Sequence, residues 1–339
     1  MTARLLCLCA AAVALSAGGA AAQDKHVELK LSHWVPPQHP LHPALQAWAD
    51  DIKKESSGSI TAVIFPTEQL GKAFDHYDMA RDGIADFAYV NPGYTPGRFP
   101  VIAAGELPFL IADGKGGTAA LDAWYRQYAA VEMKDVHFCL GFVHDPGTFH
   151  GRHKIVKPED VKGLKVRPAN ATIGNFVTAL GGTNIQASAP GARDMLERGV
   201  ADAITFPWGS TMLFGIDKVV KYHMDAALYA TTFVWVMNKS KYEALSPGQK
   251  KVIDNHCTTE WAEKITTPWA EFEAAGRAKL RAAPGHEVDP LTPEQLEAWR
   301  RAAQPLQAKW AENARKACVD PDKALASLKA SLAKYKAAY

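Results

Sequence analysis

The sequence has almost no charge imbalance, with 38 Lys and Arg against 36 Asp and Glu in 339 residues. A chain so nearly neutral lacks the basic face that draws a protein to a nucleic-acid backbone, so no nucleic-acid partner is expected. Catalytic signatures are missing too. There is no Gly-x-Ser-x-Gly elbow, no His-Glu-x-x-His helix and no lysine closing a glycine-rich phosphate loop. Gly114, Gly116 and Gly117 cluster without joining a strand to a helix and read as a flexible loop. Histidines gather at 33, 39 and 42 and at 144, 150 and 153, but neither group has a zinc spacing. The chain is therefore expected to be no enzyme, with no cofactor and no metal. No apolar run beyond Ala22 is long enough to span a bilayer.

What is present begins with Arg4, an apolar run from Leu5 to Leu15 and small residues from Gly18 to Ala22. This pattern predicts a signal peptide over residues 1–22, with Gln23 as the first mature residue and the periplasm as destination. Of the five cysteines, Cys7 and Cys9 fall inside that segment. An oxidising compartment would let two of the other three pair. Cys139 lies in the apolar run 136–143 and reads as a buried strand thiol, which leaves Cys257 and Cys318, both in helical-looking sequence, as the expected pair.

Alternation at Val27, Leu29 and Leu31 predicts a half-buried strand, and Leu41, Ala44, Leu45, Trp48 and Ile52 follow at helical spacing. A strand over 60–65, a helix over 73–81 and a strand over 85–90 complete a βαβαβ unit that ends in Asn91-Pro92-Gly93. A second such unit follows residue 160, with strands predicted at 164–167, 184–187 and 203–206, ending in Pro207-Trp208-Gly209. The β-branched and aromatic run 229–237 predicts a strand that returns the chain to the first unit as a hinge. Ser246, Pro247 and Gln249, and again Thr292, Pro293 and Gln295, have the form of capping boxes that open late helices. The expected fold is α/β and two-lobed, each lobe a mostly parallel sheet flanked by helices.

Ligands of open parallel sheets bind beyond the carboxyl ends of the strands, which points to the loops at 91–94 and 206–208. Arg167 ends a predicted strand, and its planar fork of donors matches a carboxylate; the alternative is a structurally paired arginine. Trp34, Tyr94, Phe149, Phe206 and Trp208 gather on the same predicted loops. They either line a cleft or pack the two lobes together.

An ordered series of short motifs runs through the chain: Trp34 with His39 and Pro40, Phe65-Pro66 with Gln69-Leu70-Gly71, Pro96 to Pro100, Leu107-Pro108-Phe109, and Pro158-Glu159-Asp160 leading into Lys162-Gly163-Leu164-Lys165-Val166-Arg167. In order and spacing the series resembles the solute-binding proteins of tripartite ATP-independent periplasmic (TRAP) transporters. The resemblance implies two lobes, residues 23–147 with 234–275 and residues 148–233 with 276–339, joined by hinge strands and a long helix. It implies a monomeric receptor that captures a small organic carboxylate through Arg167 and delivers it to integral membrane subunits. The sialic-acid binders of that family carry a second arginine where this chain has the stretch Gly147 to His150, an asparagine at Phe206 and an acid at Asn91. Those differences favour a compact or aromatic monocarboxylate, with Trp34, Asn91, Tyr94, Phe149, His150, Phe206 and Trp208 around it. Two other classes fit the same features: a receptor for an ATP-driven importer or a sensor, and an exported hydrolase or lyase using His33 or His150 as base.

Overall fold

The computed structural model describes residues 24–339; the expected signal segment, 1–22, lies outside them. The strands are β1 (Val27–Ser32), β2 (Ile60–Phe65), β3 (Phe87–Val90), β4 (Val136–Val143), β5 (Thr148–Gly151), β6 (Lys165–Arg167), β7 (Thr183–Asn184), β8 (Ala203–Phe206), β9 (Tyr222–Asp225), β10 (Thr232–Asn238) and β11 (Glu287–Pro290). The α-helices are α1 (Leu41–Glu55), α2 (His76–Arg81), α3 (Gly114–Tyr125), α4 (Ala129–Glu132), α5 (Ala171–Ala179), α6 (Ala192–Glu197), α7 (Trp208–Leu213), α8 (Lys239–Glu243), α9 (Pro247–His256), α10 (Thr259–Ala282), α11 (Pro293–Lys316) and α12 (Pro321–Lys334). They flank two sheets, so the two-lobed α/β fold implied by the motifs is the one observed. None of these helices is long and apolar enough to cross a membrane.

In the first sheet, of order β2-β1-β3-β10-β4, the alternation of β1 turns Leu29 and Leu31 into the core, where both are fully buried. Strand β1 runs parallel to β2 and β3, and β10 enters antiparallel between β3 and β4. Every residue of β10 is buried. A central strand covered on both faces needs no polar side, and this explains the unbroken apolar run of its sequence. The second sheet has the order β11-β9-β5-β8-β6-β7, with β5 antiparallel to both β8 and β9.

The chain passes between the sheets at 144–147 and again at 226–231. These crossings are bound to each other: the Gly147 N–H donates to the Tyr229 carbonyl at 2.8 Å and the Leu228 N–H to the Gly147 carbonyl at 3.1 Å. A Cβ at Gly147 would lie 2.8 Å from both the Phe206 carbonyl oxygen and the Tyr229 hydroxyl. Only glycine lets the crossings approach so closely. The predicted strand over 229–237 therefore starts three residues late, because Tyr229 belongs to this bridge.

Helix α10 runs beside both sheets, touching α1, α3 and β4 on one side and α7 and β11 on the other. Helix α11 buries Trp299 against Phe149 and Phe176. Helix α12 packs on α3, where the Trp124 indole donates to the Ala324 carbonyl at 3.0 Å. Both expected capping boxes are formed, with Ser246 accepting from the Gln249 N–H at 3.1 Å and Thr292 from the Gln295 N–H at 3.3 Å.

Three expectations are corrected. The glycine cluster is the first turn of α3, not a loop: Asp113 caps it through the Gly116 N–H at 2.7 Å, and Cβ atoms at Gly114 and Gly117 would meet Asp145 and Ile111 at 2.6 and 2.5 Å. Strand β7 spans Thr183–Asn184 rather than 184–187: past Ile185 the chain leaves the sheet, and the Ala187 carbonyl accepts from Arg167. The disulfide joins Cys139 to Cys257, and Cys318 is free and exposed. Cys139 lies on the face of β4 that the α9–α10 junction covers, whereas Cys318 follows α11 on the molecule's surface.

The bridge closes a loop of sequence separation 118, and removing such a crosslink typically costs about 2–5 kcal/mol. The Cys139→Ala/Cys257→Ala variant is expected to lose stability in that range in urea titration. Thiol labelling of the denatured, unreduced protein starting at Gln23 is expected to find one reactive cysteine, and three after reduction.

Candidate functional site

Strand β6 is pinned beside β8, with Arg167 opposite Ile204, and it delivers the Arg167 side chain into the space between the sheets. The guanidinium is 1% exposed. Its Nε donates to the Ala187 carbonyl at 2.9 Å and its Nη2 to the Tyr94 hydroxyl at 3.3 Å, but Nη1 has no acceptor among the described residues. Among the described residues no carboxylate pairs with it. Asp202, on the turn before β8, accepts from the Lys165 N–H at 2.9 Å instead. A buried guanidinium without a counter-ion is costly, because several kcal/mol of lost hydration are not returned.

A small cavity opens beside this group. Its walls are mainly apolar, with six aromatic rings among them. The Phe206 ring centre lies 5.5 Å from the Arg167 guanidinium carbon, and Phe214 meets Phe206 edge-on. Trp34 stands 6.1 Å from Tyr94 and 6.2 Å from Phe233, and Trp269 lies 5.4 Å beyond Phe233. Tyr94 ties the two sides together, accepting from the Ala189 N–H at 2.8 Å as well as from Arg167. Asn91 does the same through its amide, which donates to the Ala169 carbonyl at 3.4 Å. A larger space lies between residues 92–106, α5 and α11. The cation there, Lys309, is already paired with Glu312.

Two histidines border the cavity. His144 donates from Nδ1 to the Asp145 carbonyl and accepts at Nε2 from the Thr231 N–H, so both nitrogens are used. His39 accepts at Nδ1 from the Leu41 N–H at 3.1 Å, which in a neutral ring places the proton on Nε2. Burial holds His39 down at about 3 and His144 at about 4. Behind the wall, the buried Glu273 on α10 accepts from the Gly209 and Ser210 N–H groups at 2.5 and 2.9 Å and from the Trp269 indole at 2.8 Å. It thereby caps α7 and fixes the Trp269 ring.

The structure brings five of the expected residues to this cavity: Arg167, Trp34, Asn91, Tyr94 and Phe206. Three others turn away from it. Phe149 points from β5 into the core against Trp299, with ring centres 5.5 Å apart. His150, on the opposite face of β5, donates from Nε2 to the Phe206 carbonyl at 3.0 Å and meets His223 at 2.7 Å. Trp208 covers that histidine pair edge-on. Phe149 and His150 sit on a buried strand, whose alternation sends their side chains to opposite sheet faces, and Trp208 opens α7 against His150. His33 and His150, the bases that a hydrolase would need, lie outside the lining; His33 pairs with His42 at 2.9 Å. Lining residues that the sequence reading did not select include His39, His144, Phe214, Phe233 and Trp269. His39 stood in both a motif and a histidine group; Phe233 and Trp269 carried no local signal.

A family model for bacterial extracellular solute-binding protein, family 7 (DctP), matches residues 31–313. The chain belongs to this family. Its members bind and carry solutes; they are not enzymes. A TRAP solute-binding protein from Rhodoferax ferrireducens T118, solved with copurified benzoate, superposes with a TM-score of 0.85 at 30% identity, over 91% of this chain and 98% of its own. A marine-metagenome TRAP protein described as specific for aromatic acids, in complex with metahydroxyphenylacetate, does so at 0.85 and 32% identity, over 91% and 99%. The Comamonas testosteroni protein named outer membrane transporter protein TsaT is 24% identical over 94% of this chain and 95% of its own length. This solute-binding protein thus has the TRAP fold and the transport class that go with it.

Burial holds His33 and His39 at about 3, His144 and His150 at about 4 and His223 at about 2. The unfolded imidazoles take up protons near 6.5, so the stability these five contribute is complete above that pH and is lost as pH falls. Glu106 and Glu273, raised by burial to about 7, and Asp145, raised to about 6, act in the opposite sense. Five against three leaves the histidines dominant, at about 1.4 kcal/mol per pH unit for each uncompensated proton. The melting temperature is expected to fall steadily from pH 6.5 to 5 in a buffered thermal scan.

Proposed function

We propose that this chain is the periplasmic receptor of a TRAP-type importer, and that it captures an aromatic monocarboxylate through Arg167. The reading is carried by the unpaired Nη1 of a guanidinium that is buried, has no counter-ion among the described residues and borders a cavity. A ligand carboxylate supplies the missing charge and accepts a charge-assisted hydrogen bond from that atom. Tyr94 and the Ala187 carbonyl hold the fork in one orientation, so its geometry is set before the ligand arrives.

The rest of the wall argues for the ring. Phe206, Phe214, Phe233, Trp34 and Trp269 offer faces and edges suited to offset or edge-on contact with an aromatic guest. Arg167 is the one Lys or Arg side chain among the lining residues, and one cation fits one carboxylate. Two relatives of similar fold, one solved with benzoate and one with metahydroxyphenylacetate, support this class. The ligand lies where loops 91–94 and 206–208 converge, between the two sheets, and its release goes to the integral membrane subunits of the transporter.

Removing one partner of a buried ion pair costs about 3–5 kcal/mol, or roughly 10² to 10³ in affinity. In calorimetry with benzoate, Arg167→Ala and Arg167→Lys are both expected to lose that factor, the lysine because a single ammonium does not reproduce the fork. Arg167→Met is expected to melt no lower than the ligand-free wild type, since it removes an uncompensated buried charge, while losing the ligand-induced rise in melting temperature. Unchanged benzoate affinity in Arg167→Ala would refute the assignment.

A further inference from the structure

The cavity contains more hydrogen-bonding capacity than a lone carboxylate uses, and that capacity is of one kind. Two buried polar atoms among its lining residues lack a partner: Arg167 Nη1 and Trp34 Nε1, both donors. His39 adds another. Its Nδ1 lone pair is occupied by the Leu41 N–H at 3.1 Å, so the neutral ring presents an N–H at Nε2, and no acceptor for it is found among the described residues. Burial keeps the ring neutral at ordinary pH. The Trp269 ring, 5.0 Å from His39 and edge-on to it, fixes the imidazole plane.

The acceptors nearby are already engaged. His144 Nε2 accepts from the Thr231 N–H, the Asn91 side-chain oxygen from the Gly93 N–H, and the Phe206 carbonyl from His150. The Ser210 hydroxyl donates to Glu273, itself behind the wall and surrounded by donors. A ligand ammonium would find no counter-ion, and a second ligand carboxylate would face neutral N–H groups rather than a second cation. An uncharged oxygen would find two unpartnered donors.

We propose that Trp34 and His39 are specificity-determining residues which select, among aromatic monocarboxylates, those that carry an additional uncharged hydrogen-bond acceptor such as a ring or side-chain hydroxyl. The proposal rests on the aromatic-carboxylate reading and narrows it. The carboxylate takes the guanidinium, and the second oxygen takes the neutral N–H groups, that of Trp34 being buried without a partner. A buried donor left unpaired is penalised more than a formed bond is rewarded, so the unsubstituted parent acid binds more weakly.

The test is a calorimetric panel on the protein starting at Gln23: 3- and 4-hydroxybenzoate against benzoate, mandelate against phenylacetate, and isophthalate and 3-(aminomethyl)benzoate as doubly charged probes. At least one hydroxylated acid is expected to bind about fivefold or more tighter than its parent, the worth of one neutral hydrogen bond. Both doubly charged probes are expected to bind at least about tenfold more weakly than benzoate. The same panel on His39→Asn, which keeps an acceptor for the Leu41 N–H but is too short to replace Nε2, and on Trp34→Phe, reads the ratio of hydroxylated to parent affinity within each variant, so that general loosening of the cavity cancels. That ratio is expected to fall toward one in at least one of the two. The proposal is overturned if no hydroxylated acid outperforms its parent, if the ratio survives both substitutions, or if isophthalate binds tightest. Failure of the underlying reading has a different signature, namely benzoate bound equally well by Arg167→Met.

Discussion

A positive charge taken out of water and given no negative partner is the constraint around which this molecule is arranged. Arg167 ends a three-residue strand, keeps two of its nitrogens on the protein and leaves the remaining one without an acceptor. The folded chain tolerates that cost because neighbouring contacts overdetermine the side chain: β8 fixes its backbone, the turn after β7 supplies a carbonyl, and Tyr94 reaches across from the other sheet. Among the described residues the protein alone does not complete the interaction.

The surroundings of that charge are rigid where orientation matters. Helices α7 and α10 meet backbone to backbone, since a Cβ on Gly276 would fall 2.3 Å from Gly209, and Glu273 locks the contact by accepting from two α7 amides and from Trp269. One wall of the cavity is therefore fixed to the helix that runs beside both sheets. The facing wall, Trp34 with Tyr94 and Phe233, belongs to the first sheet and its loops, and the paired crossings at Gly147 and Tyr229 join the two halves. Groups from both halves therefore line the one cavity.

Much of this was legible in the chain itself. Period-two and helical spacings located β1 and α1, the two capping boxes formed as read, and the arginine at a strand end emerged where an α/β ligand site lies. Trp34, Asn91, Tyr94 and Phe206 also reached the cavity, because they sit at or just beyond the carboxyl ends of strands. Phe149 and Trp208 misled because aromatic side chains near a strand end have two sheet faces to choose from, and only the packed partner, Trp299 or His150, decides. Phe233 and Trp269 were invisible for the converse reason. They come from β10 and α10, elements whose apolar residues look like any other core, and they meet Trp34 and His39 across about two hundred residues of sequence. The disulfide was misassigned on the same ground, since which cysteine Cys257 meets depends on the face of β4 that a distant helix junction covers.

The fastening of α10 has a mechanical corollary. Its first turn follows directly on Cys257, which is tied covalently to β4 of the first sheet, while its later turns lie against α7 and β11 of the second. A rod clamped at one end and embedded at the other must bend when its two supports rotate. Pro268 stands between the clamp and the α7 contact at Gly276; lacking an N–H, it leaves the Lys264 carbonyl without its helical bond and lowers the local stiffness there. The next residue is Trp269, so flexure at that joint would move an indole that lines the cavity.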